Sequence, residues 1–226
     1  MYHWRLSSFY FAYFALIGAI VPYWTLYLTS VNFNPIEIGF LASILMGTKV
    51  VSPYLFGWLS DKFQAPVSVI RITSALSLIA FSFIFITDSF IGTALVIASF
   101  SFFWNGQIGQ FESITLSHIS NDTSRYGGIR AWGSIGFIVS VLALGFLIKK
   151  NGINYLPLFM AVILFLIVLS SLIVNKTDQI KPHNDQKRFL HDFLKPNVIF
   201  FFMTCFLLQV SHGPYYTFFS IYLTDL

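Results

Sequence analysis

The chain has 226 residues, of which 56% are hydrophobic, 19% aromatic and only 10% charged, and its mean hydropathy is +0.74. A water-soluble domain carries roughly 25% charged residues, so this composition excludes a soluble globule of this size. The net charge of +4 does not mark a nucleic-acid binder, because nearly all the basic residues fall in short segments between apolar runs, where they orient a membrane protein.

Breaking the apolar runs at Asn, Pro, Asp and Lys clusters predicts an all-α, multi-span protein with helices at about 5–29, 35–59, 66–87, 91–119, 126–148, 154–175 and 196–223. Arg5 and Glu37 bracket 31 uncharged residues, a run too long for a signal-peptide core and without an A-x-A cleavage site, so the first span is read as uncleaved. The second span carries Lys49, the fourth Glu112 and the fifth Arg130, so these three helices need a polar side turned away from lipid. Segment 176–195 is the one long polar connector and reads as a linker. With a cytoplasmic N-terminus, nine basic residues lie inside (Arg5, Lys62, Arg71, Arg125, Lys176, Lys181, Lys187, Arg188 and Lys195) against Lys149 and Lys150 outside. That bias predicts a cell inner-membrane protein with its N-terminus in the cytoplasm. Cys205 is the only cysteine, which leaves no disulfide framework and no thiolate metal cluster.

A weak internal repeat bears on the domain plan. Pro22-Tyr23-Trp24-Thr25 precedes Leu26-Tyr27-Leu28-Thr29 in the first span, and Pro214-Tyr215-Tyr216-Thr217 precedes Ile221-Tyr222-Leu223-Thr224 in the seventh, 192 residues on. A copy of helix one just after the linker fits two similar six-helix halves; chance matching in aromatic-rich helices is the alternative. The expected organisation is therefore a six-helix bundle over 1–175, a cytoplasmic linker over 176–195 and, over 196–226, the first helix of a second, incomplete bundle.

Within the first bundle, Glu112 and Arg130 stand nine residues on either side of Asn121, inside a polar turn. Antiparallel helices folded there bring the two to the same depth, where a buried arginine needs a partner. Trp104, Ile108, Glu112 and Thr115 follow helical spacing on one face, with Asn105 beside them. Arg130, Ser134 and Phe137 share a face of the fifth helix, and Gln209, His212 and Tyr216 a face of the seventh. Each also has a structural reading. The Glu112–Arg130 pair could only fix packing, His212 could satisfy a carbonyl freed near Gly213-Pro214, and Lys49, 12 residues from both Glu37 and Asp61, could reach an interface. The Phe-rich runs read as lipid-facing filler, with Trp104, Tyr23 and Trp24 the only stacking candidates. No metalloprotease, serine-hydrolase, P-loop or zinc motif is present, so nothing points to an enzyme, a cofactor or a metal.

Gly57-Trp58-Leu59-Ser60-Asp61-Lys62, at the second-to-third-span turn, resembles the G-x-x-x-D-[KR] core of the signature loop of the major facilitator superfamily, with Gln64 and Ala65 where that family has a glycine and a basic residue. Tyr126-Gly127-Gly128-Ile129-Arg130-Ala131-Trp132-Gly133-Ser134 is similar to the start of the fifth helix in the branch of lactose, nucleoside and phenylpropionate permeases. There an acidic residue precedes the arginine by 18 positions, as Glu112 does here. Gly128 replaces the second basic residue of the lactose permease, and Gln209 to Tyr216 resembles the seventh helix of the phenylpropionate permease; Lys49 resembles a basic residue on its second helix. The resemblance implies a major-facilitator-type fold and a proton-coupled symporter of a small organic solute, an aromatic carboxylate above others. Under it, Arg130, Lys49, Trp104, Asn105, Phe137 and Gln209 bind substrate, Glu112 and His212 couple protons, and Gly57, Asp61 and Lys62 form a conformational-switch loop. The partners are substrate, protons and the bilayer, with the missing second half or an oligomer completing the molecule. A non-transporting fragment that acts as a membrane assembly or regulatory protein is the alternative.

Overall fold

The computed structural model describes residues 3–119, 123–175 and 195–224, and among these every regular element is helical. The helices are α1 (His3–Ser30), α2 (Pro35–Phe63), α3 (Pro66–Ser82), α4 (Phe90–Asn105), α5 (Gln107–Ile119), α6 (Thr123–Asn151), α7 (Leu156–Ile173) and α8 (Pro196–Thr224), with single 3-10 turns at Phe83–Ile86 and Ile153–Tyr155. Together they make seven segments long and apolar enough to cross a membrane, α4 and α5 forming one of them. The chain divides into two compact units, Met1–Gln179 and Ile180–Leu226. The second unit's described part is the helix α8 and its lead-in. The linker expected over 176–195 lies almost wholly outside the described residues, as do the turn residues 120–122.

Local chemistry sets the helix ends. Asn34 caps α2 through a reciprocal box: its side chain accepts the Glu37 N–H at 3.0 Å, and the Glu37 carboxylate accepts the Asn34 N–H at 2.9 Å, with Pro35 at the first helical position. Ser89 caps α4 by accepting the Gly92 N–H at 3.1 Å. At its other end α2 runs four residues beyond the expected 59, through Asp61 and Lys62, and closes on Gln64 in the left-handed conformation, φ 48°. A glycine would take that conformation without strain; here a glutamine holds it.

In the first unit α1 lies against α6 and α7, α3 against α4 and α7, and α2 against α4 and α5. Lipid tails are as apolar as leucine, so contact here comes from close packing and hydrogen bonds rather than from expelled water. The α1–α6 seam shows the packing: a Cβ added at Gly136 would overlap the Phe11 carbonyl, so only glycine allows the two backbones to meet there. Tyr23 donates across the same seam to the Val141 carbonyl at 2.8 Å, and Trp24 is buried against Tyr27 and Phe81. The Trp24 ring is thus taken up in packing, and the Tyr23 hydroxyl in the seam.

The α2–α4 seam is held by hydrogen bonds. The expected single helix over 91–119 breaks at Gly106, where a Cβ would overlap the Phe56 ring of α2. The Gly106 N–H turns to the Trp104 carbonyl. The carbonyls left over find side chains: Ser52 donates to Phe102, and Gln107 Nε2 donates to Phe103 at 3.3 Å. At the far end of the unit, Arg71 on α3 donates to the Ser171, Leu172 and Val174 carbonyls at 3.3, 3.0 and 2.9 Å and so closes the C-terminus of α7.

Candidate functional site

Glu112 on α5 and Arg130 on α6 meet across the first unit, with Arg130 Nε 3.8 Å from Glu112 Oε1. Each has about a third of its side chain open, 33% for Arg130 and 39% for Glu112. The pair is long: at this distance charge attraction acts, but no hydrogen bond joins the two. Arg130 Cζ sits over the Phe14 ring at 4.0 Å and over the Tyr10 ring at 5.4 Å, both on α1. Tyr10 in turn donates to Thr115 Oγ1 at 3.3 Å, and Thr115 donates to the Phe111 carbonyl at 2.8 Å. Among the described residues, Arg130 Nη1 and Nη2 have no hydrogen-bond partner. Four in-plane N–H groups are thus uncommitted beside a carboxylate that only half claims the cation, an arrangement suited to a two-oxygen anion.

Other expected members of the site lie elsewhere. Trp104 is 2% exposed, with its ring between those of Tyr13 and Phe100, at 5.0 and 5.8 Å. Asn105 is buried and donates to the Leu45 carbonyl at 3.3 Å and to Thr48 Oγ1 at 2.9 Å, both on α2. Trp104 stays on the face that α5 continues with Phe111 and Thr115 against α1, where its ring is taken up by Tyr13, whereas Asn105 faces α2. Phe137 is half-buried on α6, about two turns beyond Arg130, and Ser134 is exposed. Lys49 is exposed on α2 and, among the described residues, makes no ion pair with Glu112.

Gly57, Asp61 and Lys62 lie inside α2 rather than in a loop, because the helix continues to Phe63. Asp61 therefore does not cap α3, whose N-cap is Ala65 with no side-chain bond. Lys62 Nζ stands 4.7 Å over the Trp58 ring, and a Cβ at Gly57 would meet Gln110 Nε2 at 3.4 Å. Gln209 and His212 are on α8, in the second unit, where His212 Nδ1 lies 2.8 Å from the Leu208 carbonyl. The side chain of Tyr216 lies outside the described residues. Among the described residues no group of three or more His, Cys, Asp or Glu could hold a metal ion. An apolar groove of about 800 Å³ between α1, α6 and α7, lined by Trp4, Phe11 and Trp132 among others, does not include the Glu112–Arg130 pair.

Sequence reasoning missed Phe14, Tyr10 and Arg71. Phe14 is one of 27 phenylalanines, and nothing in its spacing distinguishes it. Arg71 could be counted only as a charge at the membrane edge, since its partners are about 100 residues away.

Among the described residues, seven helical segments long and apolar enough to cross a membrane, two of them carrying the Glu112–Arg130 pair, define a multi-pass membrane protein. The chain belongs to the MFS_1 like family, whose model matches residues 3–226, and so to the major facilitator superfamily. It is 30% identical to "Uncharacterized transporter YwbF" of Bacillus subtilis (strain 168) over 62% of this chain and 35% of that protein. It is 24% identical to "Probable 3-phenylpropionic acid transporter" of Escherichia coli (strain K12) over 96% of this chain and 58% of that protein. The crystal structure of the nucleoside transporter NupG (D323A mutant) superposes with a TM-score of 0.79 at 22% identity, over 95% of this chain and 57% of that one, which shows the same fold. The chain thus spans between 35% and 58% of the length of these two curated relatives.

Proposed function

We propose that the chain forms the first bundle and the seventh helix of a proton-coupled symporter, in which Arg130 binds the carboxylate of a small organic solute and Glu112 carries the proton. The observation that supports this most is the pair itself: a loose 3.8 Å contact with both Nη groups of Arg130 unclaimed among the described residues. A guanidinium with an uncommitted fork accepts a planar carboxylate through two parallel hydrogen bonds. A carboxylate arriving at Arg130 would compete with Glu112 for the guanidinium, and a proton taken up by Glu112 would remove that competition. An aromatic acid is favoured by the relative named for 3-phenylpropionic acid and by the rings of Tyr10 and Phe14 beside the charge. Substrate roles for Lys49, Phe137 and Gln209, a proton role for His212 and a switching role for Gly57, Asp61 and Lys62 rest on the resemblance to the phenylpropionate permease branch. The inner membrane and a cytoplasmic N-terminus are supported by the basic bias; in intact cells, a cysteine placed at Ser89 should be labelled from outside.

Alternating access needs two bundles moving about a shared site, and the relatives are longer than this chain. The 226 residues alone are expected to insert in liposomes without accumulating 3-phenylpropionate under an imposed pH difference, whereas the chain joined to a second bundle should accumulate it. Accumulation by the isolated chain as a monomer would contradict the two-bundle reading, and none by the joined form would contradict symport of this solute.

A further inference from the structure

The interaction that most constrains Arg130 comes from α1 and not from Glu112. The guanidinium carbon is 4.0 Å from the centre of the Phe14 ring, whereas the nearest carboxylate contact, at 3.8 Å, is too long for a hydrogen bond. Stacking on an aromatic face leaves all the in-plane N–H groups of a guanidinium available, because they point away from the ring normal. A second residue makes room for this contact. A Cβ at Gly133, one turn along α6 from Arg130, would stand 2.8 Å from Phe14 Cδ2 and 3.1 Å from Arg130 Nη1, so any larger residue would displace ring, cation or both.

We propose that Phe14 and Gly133 are positioning residues for Arg130: the ring fixes the plane of the guanidinium, and the missing side chain leaves space for that stack. The cation is then oriented before any anion arrives, which lowers the entropy lost on binding. The inference rests on reading Arg130 as the anion-binding group, but it makes a separate claim about how that group is held.

The test is the rate at which phenylglyoxal modifies Arg130, read by peptide mass spectrometry on the whole chain in nanodiscs. The Phe14 ring, 4.0 Å from Arg130 Cζ, shields one face of the guanidinium from the reagent, so Arg130 should react slowly in the wild type. Phe14→Leu should raise its rate about three- to tenfold, the range set by one cation–π contact, and Phe14→Trp should hold it at or below the wild-type rate. Gly133→Ala should raise it in the same direction. Arg71, held by three carbonyls of α7, is the internal standard, since loss of the bundle would expose it as well. An unchanged Arg130 rate in Phe14→Leu, with Arg71 steady, overturns the proposal. If Phe14→Leu raises Arg71 too, Gly133→Ala decides by the same criterion. Repeating the measurement with 3-phenylpropionate on the chain joined to a second bundle separates the two claims: failure of that acid to protect wild-type Arg130 there, alongside a raised rate in Phe14→Leu, removes the substrate reading and leaves the positioning role standing.

Discussion

Two seams of the first unit use polar side chains in opposite ways. Between α2 and α4, neutral groups satisfy one another: Asn105 donates to Leu45 and Thr48, Thr48 donates to Ser101 Oγ at 2.9 Å, and Ser52 takes the Phe102 carbonyl freed at the Gly106 break. Where α1, α5 and α6 meet, charged groups are left incompletely matched, with Glu112 and Arg130 3.8 Å apart and each about a third open. Satisfied groups have no reason to move. The open pair has hydrogen-bonding capacity to spare in a medium that penalises it, and that capacity can be met by a ligand or a proton. The difference separates polar residues that lock a membrane bundle from those that can work in it.

Substitutions on the two sides should therefore fail differently. The largest effect is expected at Arg130→Lys, which keeps the charge but loses the fork. Exchange of 3-phenylpropionate by the chain with its second bundle should fall about 10- to 100-fold, the worth of one hydrogen bond to a charged group, with little change in the amount of folded protein. Exchange at the wild-type rate would show that planar, two-point recognition is not needed. A smaller effect, on stability alone, is expected at Asn105→Leu. Losing two interhelical hydrogen bonds should lower unfolding stability by about 1 kcal/mol in detergent while leaving exchange and its dependence on the proton gradient intact. A changed gradient dependence would place Asn105 in the working site and erase the contrast between the seams.

The sequence made the helices legible because a bilayer accepts few other structures, and the uncharged runs had the length it requires. The juxtaposition of Glu112 and Arg130 could be anticipated for a similar reason: charges in spans seek partners, and equal distances from a turn give equal depth. The break at Gly106 had a local signal in Asn105-Gly106, a turn-forming dipeptide, but the uncharged run around it reads as one span, and the Phe56 ring packed against the glycine comes from a distant segment. Trp104 and Asn105 are taken up by Tyr13 on α1 and by Leu45 and Thr48 on α2, partners from distant segments. Gln64 held a similar surprise, because α2 continued past Asp61 and Lys62 and ended in a left-handed glutamine that no turn rule favours. Phe14 and Arg71 depend on contacts between distant segments, which neither spacing nor composition encodes.

The central claim, that the open pair couples a proton to a carboxylate, is tested most directly at Glu112→Gln. The amide keeps hydrogen bonding but cannot titrate, so in proteoliposomes carrying the chain with its second bundle, exchange of 3-phenylpropionate should persist while accumulation driven by an inward proton gradient is lost. A pair that only fixes packing predicts something else: less folded protein for either single substitution, restored when both residues are made apolar. Accumulation by Glu112→Gln at the wild-type level, with normal expression, would contradict the account.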